Sequence, residues 1–153
     1  MDYSQTVNRY TEVDAYPVSR IDDMINQLAQ HKYFSKYDLK SAYHQVPLIP
    51  YDEKFTAFEV NGKLYQFKRI PFGICNAVGA FERIIMKILG EDNLRNTYPY
   101  LDDVTITGNT LEELEENSRQ FEEACKKRNM TLNEDKTIRG VDRLNILGYQ
   151  IKH

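Results

Sequence analysis

The segment Pro99-Tyr100-Leu101-Asp102-Asp103-Val104-Thr105-Ile106-Thr107 constrains this chain more than any other. Its aromatic and β-branched residues read as two short strands, with the paired aspartates as the acidic tip between them. Side chains alternate faces along a strand, so consecutive aspartates diverge in a regular one, whereas a tight turn lets them converge. The fold has to accommodate a hairpin with two carboxylates at its tip.

A third carboxylate is placed in the same way. Tyr33-Phe34-Ser35-Lys36-Tyr37-Asp38-Leu39 is aromatic-rich and reads as a strand, and Asp38 ends an apolar run where a charge needs a reason. Brought alongside on an adjacent strand, Asp38 would share one small volume with Asp102 and Asp103. Like charges that close raise each other's pKa unless a cation intervenes. Hard oxygen ligands suit Mg²⁺, with Mn²⁺ as a substitute, and Mg²⁺ keeps several waters and accepts substrate phosphates as further ligands. Two such ions about 4 Å apart support in-line phosphoryl transfer. An Asp-Asp pair is also ordinary turn chemistry, and spacing alone leaves both readings open.

The remaining pattern is mixed. A helix is expected after Pro17, capped by Ser19, with Ile21, Met24, Ile25 and Leu28 as its apolar stripe. Asn61-Gly62 supplies the positive φ angles of a tight hairpin between two alternating runs. From about Asn76 to Leu89 the period is helical, with Ala77, Ala80, Phe81, Ile84, Ile85 and Ile88 on one face. Thr110 and Glu113 form a capping box ahead of Leu111, Leu114, Phe121 and Ala124, and Leu144 to Ile151 reads as a closing strand. This order predicts an α+β fold, an antiparallel sheet with helices packed on one face.

Composition excludes little else. The hydrophobic fraction of 41% and charged fraction of 28% are those of a globular protein, and Met1-Asp2-Tyr3-Ser4 is polar, unlike a signal peptide. No apolar run approaches the ~18 residues that span a bilayer, so the expectation is an intracellular protein with no membrane partner. Cys75 and Cys125 lie far apart and read as reduced thiols. The net charge of −3, from 20 basic and 23 acidic residues, is unlike a free-standing nucleic-acid binder but compatible with an acidic metal site.

Read with its neighbours, the acidic tip resembles the polymerase box of the reverse transcriptases of long-terminal-repeat retroelements, particularly the gypsy-like group. The box is Tyr100-Leu101-Asp102-Asp103. The run from Tyr33 through Asp38 to Val46 is similar to the family's first catalytic motif, and Pro71-Phe72-Gly73-Ile74-Cys75-Asn76-Ala77 followed by Phe81 to its second. Leu132-Asn133-Glu134-Asp135-Lys136 resembles the motif after the box, and Leu147-Gly148-Tyr149 the primer-grip region. The resemblance covers nearly the whole chain, and the motifs follow in the family's order.

The resemblance implies a reverse-transcriptase palm within one domain spanning residues 1–153. Residues 1–18 would be a remnant of the fingers, and residues from about 19 to 153 the palm with an intervening fingers segment. It implies Asp38, Asp102 and Asp103 as the metal-binding triad, with the backbone carbonyl of Leu39 as a further ligand. Tyr43 would be the steric gate against a ribose 2′-hydroxyl; Phe72, Gly73 and Asn76 would contact the incoming nucleotide and template; and Lys136 would approach the triphosphate. The implied partners are an RNA or DNA template with its primer, and deoxynucleoside triphosphates. It sets no oligomeric state.

The sequence also departs from the family. Val78-Gly79 follows Ala77 where the family continues with proline. The family's basic triphosphate-binding residues fall upstream of Met1, and nothing after Tyr149 could form a thumb or ribonuclease H domain. The expectation is a portion of a polyprotein that needs its fingers and thumb for full activity. The alternative is a truncated or domesticated palm serving as a non-catalytic interaction module. A palm-fold nucleotidyltransferase or cyclase of another kind fits less well, given Pro71-Phe72-Gly73 and Leu147-Gly148-Tyr149.

Overall fold

The computed structural model describes residues 2–14, 16, 20–146 and 148–152. The expected helix start at Pro17 with its Ser19 cap, and Leu147 of the primer-grip region, lie outside the described residues. In chain order the elements begin with helices α1 (Val7–Tyr10) and α2 (Ile21–Leu28) and strands β1 (Tyr33–Asp38), β2 (Phe58–Val60) and β3 (Lys63–Tyr65). Helix α3 (Ala77–Glu91) precedes strands β4 (Thr97–Tyr100) and β5 (Asp103–Gly108), and helix α4 (Leu111–Lys127) precedes β6 (Ile138–Val141), β7 (Arg143–Ile146) and β8 (Tyr149–Lys152). No helix among the described residues is long and apolar enough to cross a membrane.

The chain divides into two compact units, one of residues 1–17 and 41–81, the other of residues 18–40 and 82–153. In the first, Asn61 and Gly62 take φ angles of 52° and 73° and close the β2–β3 hairpin, the two positive values that a tight primed turn requires. Tyr3, Val46, Ile70 and Phe81 are buried there, and the Tyr3 hydroxyl donates to the Thr56 carbonyl at 3.4 Å.

The second unit is built on a four-stranded antiparallel sheet in the order β4-β5-β1-β6. Alternation along β1 sends Ser35 and Tyr37 to one face and Phe34, Lys36 and Asp38 to the other. On the first face lies α4, where the Tyr37 and Phe121 rings are 5.4 Å apart. On the second, Phe34 is buried in a cluster with Met24 and Leu28 of α2 and Leu144, Ile146 and Ile151 of the β7–β8 hairpin. Helix α4 starts as its sequence predicts: the Glu113 N–H donates to the Thr110 hydroxyl at 3.1 Å. The Glu113 carboxylate reaches one residue further back than a regular capping box, to the Asn109 N–H at 2.8 Å.

The class is α+β with antiparallel pairing, as the periodicities predict. The predicted closing strand differs. Leu144 to Ile151 is a hairpin rather than a single strand, because Gly148, at φ 85°, turns the chain between β7 and β8.

Candidate active site

Strand pairing determines where the carboxylates stand. β4 and β5 pair from Thr97↔Ile106 to Tyr100↔Asp103, leaving Leu101 and Asp102 as a two-residue loop. So short a loop needs a positive φ, and Leu101 supplies it at 54°, a conformation that costs a side-chain-bearing residue roughly 1–2 kcal/mol. On the other side of β5, β1 pairs in continuous register from Tyr33↔Gly108 to Asp38↔Asp103. One step further, the Leu39 N–H donates to the Asp102 carbonyl at 3.2 Å. That bond makes Asp38 and Asp103 the closer, non-hydrogen-bonded type of antiparallel pair, with side chains on one face and Cβ atoms about 5 Å apart.

Two carboxylates directly opposite one another repel. Each is met by one lysine: Lys36 Nζ lies 2.6 Å from Asp103 Oδ2, and Lys136 Nζ lies 3.6 Å from Asp38 Oδ2. Burial holds Asp103 above the ordinary aspartate pKa; the charges of Asp102 and Asp38 push the same way, and Lys36 pulls against them. Asp38 is further tied to the segment after α4. Asn133 donates through Nδ2 to Asp38 Oδ1 at 2.9 Å and through its backbone N–H to the Asp38 carbonyl at 2.8 Å. The Lys40 N–H donates to the Thr131 carbonyl at 3.0 Å, and Leu39 bridges Leu132.

The structure thus brings Asp38 and Asp103 face to face, with Asp102 in the adjoining loop and Leu39 beside it. Among the described residues no three carboxylate, imidazole or thiolate groups converge as a ready-made metal cage. The chemistry of the donors suits a hard divalent ion nonetheless. Mg²⁺ is commonly held by one or two carboxylates and completes its shell with water and phosphate oxygens.

The other candidates from the sequence belong to the first unit, except Lys136, Gly148 and Tyr149. Tyr43 lies in a 3₁₀ turn, Ala42–Gln45, and meets Phe72 and Phe81 edge-on at centroid distances of 5.8 and 5.9 Å. Phe72 is 58% exposed and also takes His44 edge-on at 4.6 Å. Gly73 has a φ of 91°, and its carbonyl accepts from Asn8 Nδ2 at 2.6 Å. Both polar atoms of the Asn76 side chain bind the N-terminal segment: Nδ2 donates to the Glu12 carbonyl at 2.8 Å, and Oδ1 accepts from the Asp14 N–H at 3.1 Å. Gly148 turns the last hairpin, and Tyr149 is half exposed.

Known proteins resemble this chain along nearly its whole length. Residues 2–151 match the family model described as reverse transcriptase (RNA-dependent DNA polymerase). The chain belongs to the reverse transcriptase family. Within it, the chain is 41% identical over 100 residues to the retrovirus-related Pol polyprotein from transposon gypsy of Drosophila melanogaster, a match covering 65% of this chain and 10% of that protein. It is 34% identical over 144 residues to the corresponding polyprotein from transposon opus of the same species, covering 94% of this chain and 14% of the relative. The family assignment is therefore to a gypsy-like retroelement, and the chain spans roughly a tenth of the length of these relatives. Among solved structures, the foamy viral protease-reverse transcriptase in complex with double-stranded DNA superposes with a TM-score of 0.89 at 21% identity, over 99% of this chain and 26% of that one. The same enzyme in complex with an RNA/DNA hybrid gives 0.85 at 21% identity, over 99% of this chain and 20% of that one. These likenesses show that the fold is that of a reverse transcriptase.

Sequence reasoning missed two residues at the tip and a buried acid in α3. Lys36 was legible in principle, two residues from Asp38 and so on its face of β1. Asn133 has no local signal, because its partner is 95 residues away. Glu82 is an acid among the apolar residues of α3 and is 3% exposed.

Proposed function

We propose that this chain is the catalytic palm of an RNA-directed DNA polymerase, with part of its fingers, and that it extends a primer 3′ end with deoxynucleotides. The carrying observation is the facing pair Asp38 and Asp103 beside the Asp102 loop, on a backbone matched by reverse transcriptases. In this reading residues 1–18 are a remnant of the fingers, and residues from about 19 to 153 are the palm with an intervening fingers segment. Asp38, Asp102 and Asp103, with the Leu39 carbonyl, hold Mg²⁺ or Mn²⁺. A divalent ion bound there would favour the deprotonated 3′-hydroxyl and neutralise the pyrophosphate as it leaves.

The chain's own groups account for the rest. The primer 3′ oxygen bonds to the α-phosphorus while the bond to pyrophosphate breaks, and Lys136, 68% exposed beside Asp38, offers that leaving group a proton. Tyr43 screens the sugar, Phe72, Gly73 and Asn76 border the nucleotide, and Leu147, Gly148 and Tyr149 support the primer. Complexes of the foamy viral enzyme with double-stranded DNA and with an RNA/DNA hybrid support a template and primer as partners.

The test is primer extension on RNA and DNA templates by the polypeptide that carries this chain. Asp102→Asn and Asp103→Asn should each lower the rate at least about 100-fold, the scale expected when charge stabilisation of the transition state is lost. Mg²⁺-independent extension, or extension untouched by both substitutions, would exclude the reading. Absence of extension by the unsubstituted protein would favour the interaction-module alternative.

A further inference from the structure

A cavity of about 420 Å³ lies between α4 and strands β1 and β6, on the face of the sheet away from Asp38. Three hydroxyl side chains line it. Ser35 Oγ accepts the Gly140 N–H at 3.2 Å, and the Tyr37 hydroxyl donates to Glu122 Oε1 at 2.7 Å. The third, Ser118 Oγ, is buried with no hydrogen-bond partner, on a residue only 8% exposed. An unpaired hydroxyl in the interior is destabilising, and alanine would fill this position of the helix more favourably. A ligand that brings a donor to Ser118 Oγ removes that penalty.

Charge selects the donor. Both arginines at the cavity are already met by carboxylates: Arg139 by Glu122 at 3.1 Å and Glu134 at 2.9 Å, Arg119 by Glu116 at 2.7 Å and Glu123 at 2.6 Å. Glu115 also lines the cavity, and it has no ion pair or hydrogen bond among the described residues. It stands three residues before Ser118, so the two side chains are neighbours on α4. Five glutamates therefore stand against two arginines, an excess of three negative charges. An anion would have to displace a carboxylate from an arginine and approach Glu115. A cation finds one free carboxylate and one free hydroxyl oxygen. Leu111, one turn before Glu115, and the buried Leu114 supply an apolar flank, which suits a cation on an aliphatic stem better than a hydrated metal ion. We propose that this cavity binds an alkylammonium group: the ammonium bridges the Glu115 carboxylate and Ser118 Oγ, and its stem lies against Leu111 and Leu114. A free polyamine and the lysine side chain of another polypeptide carry the same group.

The test is a titration of the 153-residue chain, followed by ¹⁵N–¹H chemical shifts, with putrescine and separately with N-acetyl-lysine methylamide. Both amines should move the Glu115, Ser118 and Gly140 amides to saturation, whereas 1,4-butanediol, the uncharged counterpart of putrescine, should not. The tighter of the two amines identifies the source of the group. Glu115→Gln and Ser118→Ala should each weaken binding about tenfold, the scale of one hydrogen bond to a charged group. S118A should melt no lower than the unsubstituted protein, because it removes an unpaired hydroxyl. Glu112→Gln changes an acid of α4 outside the cavity and should leave the affinity unchanged. Absence of saturable shifts at the three amides overturns the proposal, as does equal binding of the diol. Equal weakening by E112Q and E115Q overturns it too, since the amines would then read only the general charge of α4. So does a folded S118A protein that binds as tightly as the unsubstituted one. Glu115 and Glu112 are exposed, so that comparison stands even if S118A does not fold.

Discussion

Lys36 Nζ lies 2.6 Å from Asp103 Oδ2, on the face of the sheet where Asp103 stands opposite Asp38. Both side chains are partly shielded, 25% and 31% exposed, so the pair is less screened than a surface ion pair. The lysine offsets a repulsion that the strand register imposes, and it uses a carboxylate that a divalent cation would also use. Lys36→Met should destabilise the protein by about 1 kcal/mol when no divalent cation is added. Added Mn²⁺ should then raise the melting temperature of the variant more than that of the unsubstituted protein. Equal shifts in the two proteins would show that lysine and metal do not compete for Asp103.

Two glycines should respond to alanine with opposite signs. A Cβ at Gly108 would meet the Leu114 backbone N at 2.6 Å, its Cα at 2.9 Å and the Thr110 carbonyl at 3.0 Å. These atoms form the first turn of α4 and cannot swing aside. Gly108→Ala should cost roughly 1–3 kcal/mol and lower the melting temperature by several degrees. At Gly90, in the last turn of α3, a Cβ meets nothing within 4 Å. Gly90→Ala should stabilise by roughly 0.5–1 kcal/mol, because alanine loses less backbone freedom on entering a helix. Thermal melts of the two variants decide both points.

The core beneath the sheet should fail in alkali. Burial pushes the Cys125 thiol up to about 12 from an ordinary 9.0, and the Tyr37 hydroxyl up to about 12 from 10.0, with the bond to Glu122 raising Tyr37 further. Both groups are neutral when buried, and their folded-state values exceed the unfolded ones. Their contribution is therefore fully present below about pH 9 and disappears as the pH rises toward 12. The melting temperature should fall steeply across that window, and less so in Cys125→Ala. At pH 8 a thiol reagent should modify exposed Cys75 at once and buried Cys125 only after denaturant is added.

The parts of the fold that were legible in the sequence are those with a local cause. Asn61-Gly62 dictates its own turn, Thr110 its own cap, and Ile21, Met24, Ile25 and Leu28 repeat at helical spacing because one side of α2 is buried. Strand β6 was not legible, because Ile138, Arg139 and Gly140 are all exposed and show no alternation. It forms because β1 offers it an edge, with a register irregularity opposite Phe34 and Lys36. The same division applies to the site. Asp38, Asp102 and Asp103 stand out as charges within strand-like runs, whereas the groups that hold them are set by pairing across long stretches of chain. Asn133 reaches Asp38 across 95 residues, and the Asn76 amide is tied to Glu12 and Asp14 in a way that motif reading, which assigns it to nucleotide contact, does not foresee.

Tyr43 gives the sharpest test of substrate choice. Its ring is fixed edge-on by Phe72 and Phe81, contacts each worth about 0.5–1.5 kcal/mol, so it is a rigid object rather than a mobile side chain. A rigid ring can discriminate by clash, since it cannot move away from an added hydroxyl without giving up both neighbours. Tyr43→Phe keeps the ring and its edge contacts and should leave sugar discrimination intact. Tyr43→Val removes the ring and should raise ribonucleotide incorporation relative to deoxynucleotide by roughly tenfold or more, what relief of a clash of about 1.4 kcal/mol confers. Both are measured by single-nucleotide extension in the polypeptide that carries this chain, with the melting temperature of each variant recorded alongside. Lower stability in Tyr43→Val with unchanged discrimination would make Tyr43 a packing residue of the aromatic cluster. A change in discrimination confined to Tyr43→Val identifies the ring, and not its hydroxyl, as the group that reads the sugar.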